Sequence, residues 1–435
     1  MTPFPNSLWS ATAAPLASSP PLTEDLRTPV CIVGAGFAGL STALHLAEAG
    51  TDCIVLDARQ PGWGASGRNG GQVIPGLKHD PAALMARFGE KAGTRLARFS
   101  GDAPALLFDL VARHAIDCDL YTGGWIQPAH APEGLETLRR RRAQWRSFTD
   151  EIVELDHAET ARLVGSDHYV GAMLDRRGGS VQPLSLSRGL ARAAVKLGIR
   201  LFGDTPALSL SRRDGTWEVE TPAARVRADS VVVATNGYTD DLIPALRRSL
   251  VPVYSFQVAT RPLSPNLAAT ILPDGHPASD TRRLLWYFRK DGQDRLIMGG
   301  RGFAKDSLDA DDTRALQRAV QALYPQLGEV DFAYHWGGRV AMTADHLPHV
   351  HAPEPGLYAG VGFNGRGVAM ATATGSILAH LAAGGEPEAQ PLPVTALTPI
   401  AFHAFHAPAV QALAGYYRWR DDRECKRSRS GSSAR

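Results

Sequence analysis

Between residues 30 and 57, the hydrophobic pattern changes from a continuous apolar run to the spacing of a helix face and then back to a continuous run. Val30 to Val33 form a continuous apolar run, and glycines follow at positions 34, 36 and 39. Apolar residues between Leu40 and Ala47 then recur at the spacing of one helix face. A second apolar run, Cys53 to Leu56, ends at Asp57. The pattern predicts a buried strand, a glycine turn, a helix and a second strand, which together form a βαβ unit.

Each glycine of this turn has its own predicted role. Gly34 permits the tight turn, Gly36 lets the backbone approach a pyrophosphate, and Gly39 lets the helix pack on the strand. The helix N-terminus presents N–H groups to the phosphates, and Asp57 can accept hydrogen bonds from an adenosine ribose but repels a 2′-phosphate. The alternative is a glycine turn in an ordinary α/β sheet. A dinucleotide site is favoured, because the first strand, the glycines, the helix, the second strand and the acidic residue follow one another in the order and spacing of such a site.

The remaining elements alternate between helical and strand patterns. Residues 80–160 are mostly helical, and an apolar run at 231–233 leads into Thr235, Asn236 and Gly237. Residues 250–302 alternate in the strand manner, which predicts an antiparallel sheet, and a helix follows at 312–323. A last strand from Leu357 leads through a second glycine-rich turn into a helix from about residue 369. This turn repeats the geometry of the first.

Composition limits the classes of function. The 435 residues carry a formal net charge of +2, from 46 basic and 44 acidic side chains, which gives no support for nucleic-acid binding. The hydrophobic fraction of 44% is enough for two domains. Four cysteines without CxxC or metal-ligand spacing predict no metal site and a reducing cytoplasm. We expect neither a signal peptide nor a membrane span.

Another glycine-rich stretch, residues 60–72, directly follows the βαβ unit and is distinct from the two turns described above. It is either a flexible connector or a loop that reaches back over the reactive end of the cofactor, and its Ser, Arg and Asn favour the second interpretation. GAGFAG, Asp57 and GASGRNGGQ together resemble the FAD-dependent amine and amino-acid oxidase family that includes D-amino-acid oxidase, sarcosine oxidase and glycine oxidase. The γ-glutamylputrescine oxidase branch is the most similar. The resemblance covers residues 6–422, with the motifs in the family's order.

The resemblance implies an α/β fold, in which an FAD-binding Rossmann-like βαβ domain accompanies an inserted substrate domain with a mostly antiparallel sheet. The FAD-binding domain is expected at 28–79, 160–237 and 338–422, and the substrate domain at 80–159 and 238–337. An N-terminal arm (1–27) and a flexible tail (423–435) flank them. The implied FAD-binding residues are Gly34, Gly36, Phe37, Ala38, Gly39, Asp57, Ala58, Arg59, Gly64, Ala65, Ser66, Gly67, Arg68, Asn69, Gly70, Gly71, Ala207, Thr235, Asn236, Gly237, Arg339, Gly362, Phe363, Asn364, Gly365, Arg366, Gly367 and Val368.

The implied reaction transfers a hydride from an amine-bearing carbon to flavin N5, after which the imine is hydrolysed. Oxygen then reoxidises the flavin and yields hydrogen peroxide, or another acceptor takes the electrons. No residue is required as a base, and the candidates for an acid–base or pocket role are His335, His346, Tyr254 and Tyr287.

Departures from the family narrow these expectations. Some relatives attach their flavin to a cysteine at the position of Val340 to Met342, and others to a histidine in the loop at 66–69. Neither residue is present here, so non-covalent FAD is predicted. Ala369 and Ile297 stand where sarcosine oxidases carry lysines. A carboxylate clamp of that type is therefore absent, which favours an amine without a neighbouring carboxylate. Substrates with a carboxylate next to the amine stay open, because Arg68, Arg301, Arg339 or Arg366 can still bind an anion.

Three functions stay open at this point. The first is an amine oxidase of the γ-glutamylputrescine type. The second is an amino-acid or opine dehydrogenase that uses an acceptor other than oxygen, and the third is a flavoprotein subunit or sensor without turnover. The glycine turn at 34–39 and the later glycine-rich turn at 362–367 are both intact. This favours the two enzyme functions over a flavoprotein without turnover.

Overall fold

Two large β-sheets with helices packed on them form the molecule, whose computed structural model describes residues 3–302 and 310–432. The helices are α1 (Leu8–Thr12), α2 (Phe37–Glu48), α3 (Pro81–Phe88), α4 (Glu90–Arg113), α5 (Pro132–Trp145), α6 (His157–Val164), α7 (Pro183–Lys196), α8 (Pro244–Arg247), α9 (Pro265–Ala268), α10 (Ala310–Leu323), α11 (Gly367–Ala382) and α12 (His406–Ser432).

The strands of the described chain form a nine-stranded sheet, an eight-stranded sheet and a two-stranded ribbon. In chain order they are β1 (Leu26–Val33), β2 (Cys53–Leu56), β3 (Gln72–Val73), β4 (Trp125–Ala129), β5 (Ile152–Leu155), β6 (Gly171–Asp175), β7 (Gly179–Ser180), β8 (Arg200–Phe202), β9 (Ser209–Arg213), β10 (Thr216–Glu220), β11 (Arg225–Val233), β12 (Val251–Pro262), β13 (Ala278–Ser279), β14 (Tyr287–Lys290), β15 (Arg295–Gly302), β16 (Phe332–Met342), β17 (His349–Glu354), β18 (Leu357–Val361) and β19 (Val394–Thr395).

The nine-stranded sheet is built around β1. Strands β2 and β11 pair with it in parallel, so that Val30 lies opposite Cys53 on one side and Ser230 on the other. Strands β8 and β18 extend the parallel order outward. Val30 to Val33 are all buried, as is typical of a parallel strand that is covered on both faces. The predicted α/β fold with its opening βαβ unit is confirmed.

Helices α2 and α11 lie side by side on one face of this sheet. Ser41 Oγ donates a hydrogen bond to the carbonyl oxygen of Thr372 at 2.7 Å. A Cβ on Gly375 would lie 2.5 Å from Ser41 Cβ, so the close packing requires glycine there. Each helix follows the carboxyl end of a parallel strand, β1 or β18. Both N-termini therefore lie at the same edge of the sheet, where nucleotides bind in open α/β sheets.

The eight-stranded sheet forms the second layer and is mostly antiparallel, as expected. Its strand order is β16-β12-β15-β14-β13-β4-β6-β5, and α10 covers one face through Leu316, Ala319 and Val320. Strand β6 pairs with both β4 and β5. This sheet therefore extends past residue 160, where the predicted substrate segment ends, and the division into domain segments stays a prediction.

Both ends of the chain pack against this framework. In the predicted N-terminal arm, Leu8 and Trp9 are fully buried, and the Trp9 ring packs edge-on against Trp336 with centroids 5.6 Å apart. Residues 423–432, predicted to be a flexible tail, instead continue α12, and residues 433–435 lie outside the described part. The helix persists because Arg283 donates hydrogen bonds to Asp421 and Glu424, each at 2.9 Å.

Within 3–302 and 310–432, no helix combines the length and the apolar character that crossing a membrane requires.

Candidate active site

The N-terminus of α2 meets the glycine-rich stretch that follows β2. A Cβ on Gly39 would lie 1.9 Å from the Gly34 carbonyl oxygen, and a Cβ on Gly36 would lie 2.9 Å from Ser66 Oγ. The N-cap residue Gly36 offers no side chain to the helix N-terminus, and the N–H of Phe37 donates to Ser66 Oγ at 3.0 Å. The turn from Gly34 through Ala38 therefore forms a narrow cradle of backbone donors that suits phosphate oxygens.

Asp57 stands at the end of β2, beside this turn. Its half-buried carboxylate accepts hydrogen bonds from the backbone N–H groups of Ala35 at 2.7 Å and Arg59 at 2.8 Å. Burial raises the pKa of Asp57, and the two N–H donors oppose that rise. The Asp57 carbonyl oxygen accepts a hydrogen bond from Thr205 N–H at 2.8 Å. This bond brings the segment that leads to Ala207 next to the end of β2.

Three segments that are far apart in sequence meet at the N-terminus of α11. Asn236 Oδ1, just after β11, accepts a hydrogen bond from Gly362 N–H at 2.9 Å. Asn364 Oδ1 accepts one from Thr343 N–H at 3.0 Å, and a Cβ on Gly237 would lie 3.4 Å from the Arg339 carbonyl oxygen. The structure therefore brings the motif after β11, the end of β16 and the second glycine turn together, as the resemblance implies.

Residues 64–71, which we call the glycine loop, have a fixed shape. The Asn69 side-chain amide donates to the carbonyl oxygens of Ala65 at 3.0 Å and Ser66 at 2.9 Å, and its oxygen accepts from Gly71 N–H at 2.8 Å. A loop that satisfies its own backbone in this way is not a flexible connector. These hydrogen bonds speak against the flexible connector, and contact of the loop with the cofactor stays a prediction.

One face of the eight-stranded sheet covers the glycine loop. Ser255 pairs with Arg301 on β15 and with Gly338 on β16, so the side chains at these positions project to one face. A Cβ on Gly338 would lie 2.9 Å from Arg68 Cβ, which identifies this face as the one toward the loop. Tyr287 reaches the same place, because its hydroxyl lies 2.7 Å from Ser255 Oγ. The sheet thus forms a roof over the loop.

The four titratable candidates lie in different places. Tyr287 is in the site, and its ring would contact a Cβ on Gly70 at 2.7 Å. Burial raises its pKa well above the usual range, so its hydroxyl stays protonated at neutral pH. Tyr254 projects to the opposite face from Ser255, where the Arg339 guanidinium lies 5.8 Å from its ring. His346 lies at the rim of the site, between Asp345 and Leu347.

His335 is not part of this arrangement, which corrects the sequence expectation. It is exposed, and its Nδ1 lies 3.1 Å from Thr313 Oγ1 on α10. The reason is the register of the sheet: His335 pairs with Val258, whose side chain belongs to the core beneath α10. Since faces alternate along a strand, His335 points away from the glycine loop.

Positively charged side chains gather beside the roof. Burial, together with the charges of Arg301 and Arg366, lowers the pKa of Lys78 to about 7. Burial also lowers the pKa of Arg301. The pKa of His346 is lowered by burial and then by the charges of Lys78 and Arg301. The sequence did not identify Lys78 as a site residue. Its position a few residues after the glycine loop was the only indication of such a role.

A separate polar group lies where α12 docks. His130, Asp421 and Glu424 place ligating atoms within 4.8 Å of one another. Arg283 already donates to both carboxylates, and His130 Nδ1 lies 2.8 Å from Thr281 Oγ1. We therefore interpret this group as the anchor of α12 rather than as a metal site.

The residues present fit a dinucleotide that carries a flavin. The N-termini of α2 and α11, whose N-cap residues make no side-chain capping bond, lie at one edge of the parallel sheet. A Cβ on Gly365 would meet nothing within 4 Å, so the second turn opens onto free space. Beneath the roof, Gln257 Oε1 is buried without a hydrogen-bond partner in the described structure. Phosphates suit the α2 turn, and a polar ring suits the space between loop and roof.

Comparison with known proteins decides the family. The family described as FAD dependent oxidoreductase (DAO) matches residues 29–381. This chain belongs to that family. Relatives within it act on the CH–NH bonds of amines and amino acids, so the chain is an FAD-dependent oxidoreductase of that class.

Individual relatives agree with this assignment. The chain is 33% identical to the gamma-glutamylputrescine oxidoreductase of Escherichia coli (strain K12) over 387 residues, which cover 88% of this chain and 90% of that protein. It is 32% identical to a probable oxidoreductase, OrdL, of Haemophilus influenzae over 84% of this chain and 85% of that protein. Among solved structures, glycine oxidase from Geobacillus kaustophilus superposes with a TM-score of 0.72 at 22% identity, covering 85% of this chain and 99% of that chain.

Proposed function

We propose that this enzyme oxidises the C–N bond of a γ-glutamylated polyamine, such as γ-glutamylputrescine, and passes the electrons to oxygen. The observation that carries the proposal is the 33% identity to the E. coli gamma-glutamylputrescine oxidoreductase over 88% of the chain. FAD, when bound, supplies the hydride acceptor, and the imine that results is hydrolysed in water. We propose that the enzyme works in the cytoplasm.

The proposed work of the protein is to hold and orient the reactants. The backbone N–H groups of Gly36, Ala38 and Gly39 bind the pyrophosphate, and Asp57, Ala58, Arg59 and Ala207 hold the adenosine end. The glycine loop, Thr235 to Gly237, the backbone at Arg339 and the turn from Gly362 to Val368 hold the flavin ring. The positive end of the α11 dipole stabilises negative charge that develops next to it. The roof excludes water and keeps the Tyr287 hydroxyl protonated at the glycine loop.

FAD binding is proposed to be non-covalent. The described thiols, Cys31, Cys53 and Cys118, are buried, and burial raises the pKa of each. None lies in the glycine loop or in the second glycine turn. Denaturation in acid followed by filtration should therefore release all the flavin. Yellow colour that stays with the denatured chain would contradict the proposal.

The function is tested by anaerobic bleaching of the yellow enzyme. γ-Glutamylputrescine, free polyamines and N-methyl amino acids are each added without oxygen, and air is admitted afterwards. We expect γ-glutamylputrescine to bleach the flavin, and air to restore it with one hydrogen peroxide per flavin. If only the amino acids bleach the flavin, the proposed substrate class is wrong. If no amine bleaches it, a flavoprotein without turnover is favoured.

A second candidate, a dehydrogenase with another acceptor, has one specific observation in its favour. Ile297 stands where related oxidases carry the lysine that promotes reaction with oxygen, and here it packs in an apolar cluster with Trp9 and Trp336. No cationic side chain of that cluster therefore faces the flavin space. Bleaching by an amine without peroxide formation in air would favour this candidate.

A further inference from the structure

Among the residues that the structure describes, Lys78 and Arg301 have no counter-ion. Both are half-buried, and within the described structure neither forms a hydrogen bond or an ion pair through its side chain. Other arginines of the described chain have polar partners: Arg283 binds Asp421 and Glu424, and the buried Arg289 donates to Ser180 Oγ and to the carbonyl oxygen of Val181. A cation that is withdrawn from water without a partner destabilises the fold. The arrangement is explained if an anionic ligand completes it.

Loop contacts hold Lys78 at the site. Arg366, directly before α11, donates to the carbonyl oxygen of Pro75 at 2.9 Å. His79 Nε2 lies 2.7 Å from the carbonyl oxygen of Asp345, the residue before His346. The loop that carries Lys78 is therefore fixed between the second glycine turn and the rim of the site. This placement agrees with the action of the Arg301 and Arg366 charges on Lys78.

The register of the roof directs Arg301 toward the same space. Arg301 is the neighbour of Ser255 on β15, and Gly338 is the neighbour of Ser255 on β16. Gly338 faces Arg68, and Tyr287, which contacts Ser255, faces Gly70. Arg301 therefore projects from the roof on the side of the glycine loop, next to the place proposed for the flavin ring.

Helix α12 covers this part of the site. Tyr417, Asp421 and Glu424 are spaced to share one helix face, and Asp421 and Glu424 bind Arg283. Tyr417 is accordingly half-buried, whereas its neighbour Tyr416 is exposed. Tyr417 is near enough to Arg301 for its charge to raise the pKa of that guanidinium, against the larger effect of burial.

We propose that Lys78 and Arg301 bind the carboxylate of an anionic amine substrate, with Tyr417 as a cover, an inference that rests on the proposed amine oxidation. The carboxylate lies at the end of the substrate remote from the oxidised carbon. It differs in this respect from the α-carboxylate of an amino acid, for which the sequence lacks the sarcosine oxidase lysine at Ala369. A γ-glutamyl amine has the required chemistry, because its carboxylate and its oxidised carbon are at opposite ends.

The kinetic test uses two substrates that differ in the carboxylate. γ-Glutamylputrescine carries it, and N-acetylputrescine is an amide of the same diamine without it. For Lys78→Met and Arg301→Met, the KM for γ-glutamylputrescine should rise by about tenfold or more, since a charged hydrogen-bonded partner is lost. The kcat should stay within about twofold of the wild-type value because the site binds rather than reacts. Exposed Lys91→Met and Arg98→Met are the matched controls.

Binding of a carboxylate that cannot be oxidised tests the anion site without turnover. Butyrate and its uncharged isostere butyramide are titrated into the FAD-loaded enzyme, and the shift of the flavin spectrum is followed. We expect butyrate to bind more tightly than butyramide, and the difference to disappear in Lys78→Met and Arg301→Met.

The two tests separate the inference from the proposed function. If no amine is oxidised but butyrate binding depends on Lys78 and Arg301, the proposed function fails and the anion site stands. Equal binding of butyrate and butyramide by the wild type would overturn the anion site. So would variants that lose FAD as severely as they lose butyrate, because the cations would then serve the cofactor itself.

Discussion

The indole Nε1 of Trp9 donates a hydrogen bond to the carbonyl oxygen of Asn69 at 2.8 Å, and so joins the start of the chain to the glycine loop. Trp9 is fully buried, and its ring also packs on Trp336 of the roof. The N-terminal segment is therefore packed between the glycine loop and the roof, although the sequence suggested an arm that leads to β1.

Replacing Trp9 should weaken FAD retention. Trp9→Phe keeps most of the ring but leaves the Asn69 carbonyl oxygen without its donor, which costs about 1–3 kcal/mol for a buried group. We expect a lower melting temperature and a weaker affinity for FAD, measured by flavin fluorescence on dilution. Trp419→Phe, at an exposed tryptophan of α12, is the control. Unchanged FAD affinity in Trp9→Phe would show that the contact is not needed to shape the loop.

Gly39→Ala should abolish FAD binding. Its Cβ would lie 1.9 Å from the Gly34 carbonyl oxygen, so α2 would have to move away from β1 and open the phosphate cradle. The purified variant should be colourless, and added FAD should not restore its absorbance. Gly415→Ala is the control, because a Cβ there meets nothing within 4 Å. A yellow Gly39→Ala enzyme with normal flavin content would refute this account of the turn.

Removing the charge of Lys78 should stabilise the enzyme in the absence of substrate. Its pKa of about 7 lies below the ordinary value of 10.5, so at pH 6 the folded and unfolded states both carry the charge and the penalty is complete. As the pH rises from 7 toward 10.5, the folded state releases its proton first and the penalty declines. Lys78→Met should therefore raise the melting temperature most at pH 6, by about 1 °C per kcal/mol for a chain of this length.

The matched control for this experiment is Lys196→Met, at an exposed lysine near the end of α7. Differential scanning calorimetry of both variants at pH 6 and pH 9 gives the comparison. A stabilisation of Lys78→Met that is the same at both pH values, or that Lys196→Met shares, would mean that the unpaired charge is not its cause.

Tyr287 and His335 should differ in their effect on turnover. Tyr287→Phe removes the hydroxyl that contacts Ser255 above the glycine loop. We expect kcat/KM to fall by up to about tenfold, which corresponds to about 1.4 kcal/mol. His335→Gln should leave kcat/KM unchanged, because His335 faces α10. Steady-state kinetics with γ-glutamylputrescine measures both, and the reverse order of effects would mean that the roof presents its other face to the flavin.

Local features of the fold were readable from the sequence, and long-range ones were not. Gly34, Gly36 and Gly39 follow an apolar strand directly, so their roles depend on neighbours a few positions away. His335 and Tyr254 required the register of β12 and β16, which sets the face to which each side chain points. Lys78 required the packing of its loop against segments near residues 345 and 366. Such contacts leave no periodic pattern in the sequence.

The carbonyl oxygen of Arg68 accepts hydrogen bonds from two side chains of the roof, Gln257 Nε2 and Trp336 Nε1. A single peptide group therefore couples the two layers. A shift of β12 or β16 therefore acts directly on the glycine loop. With the flavin bound against this loop, as we propose, strain in the sheet would change the visible absorbance of the flavin, and substrate specificity and flavin reactivity would not be independently adjustable.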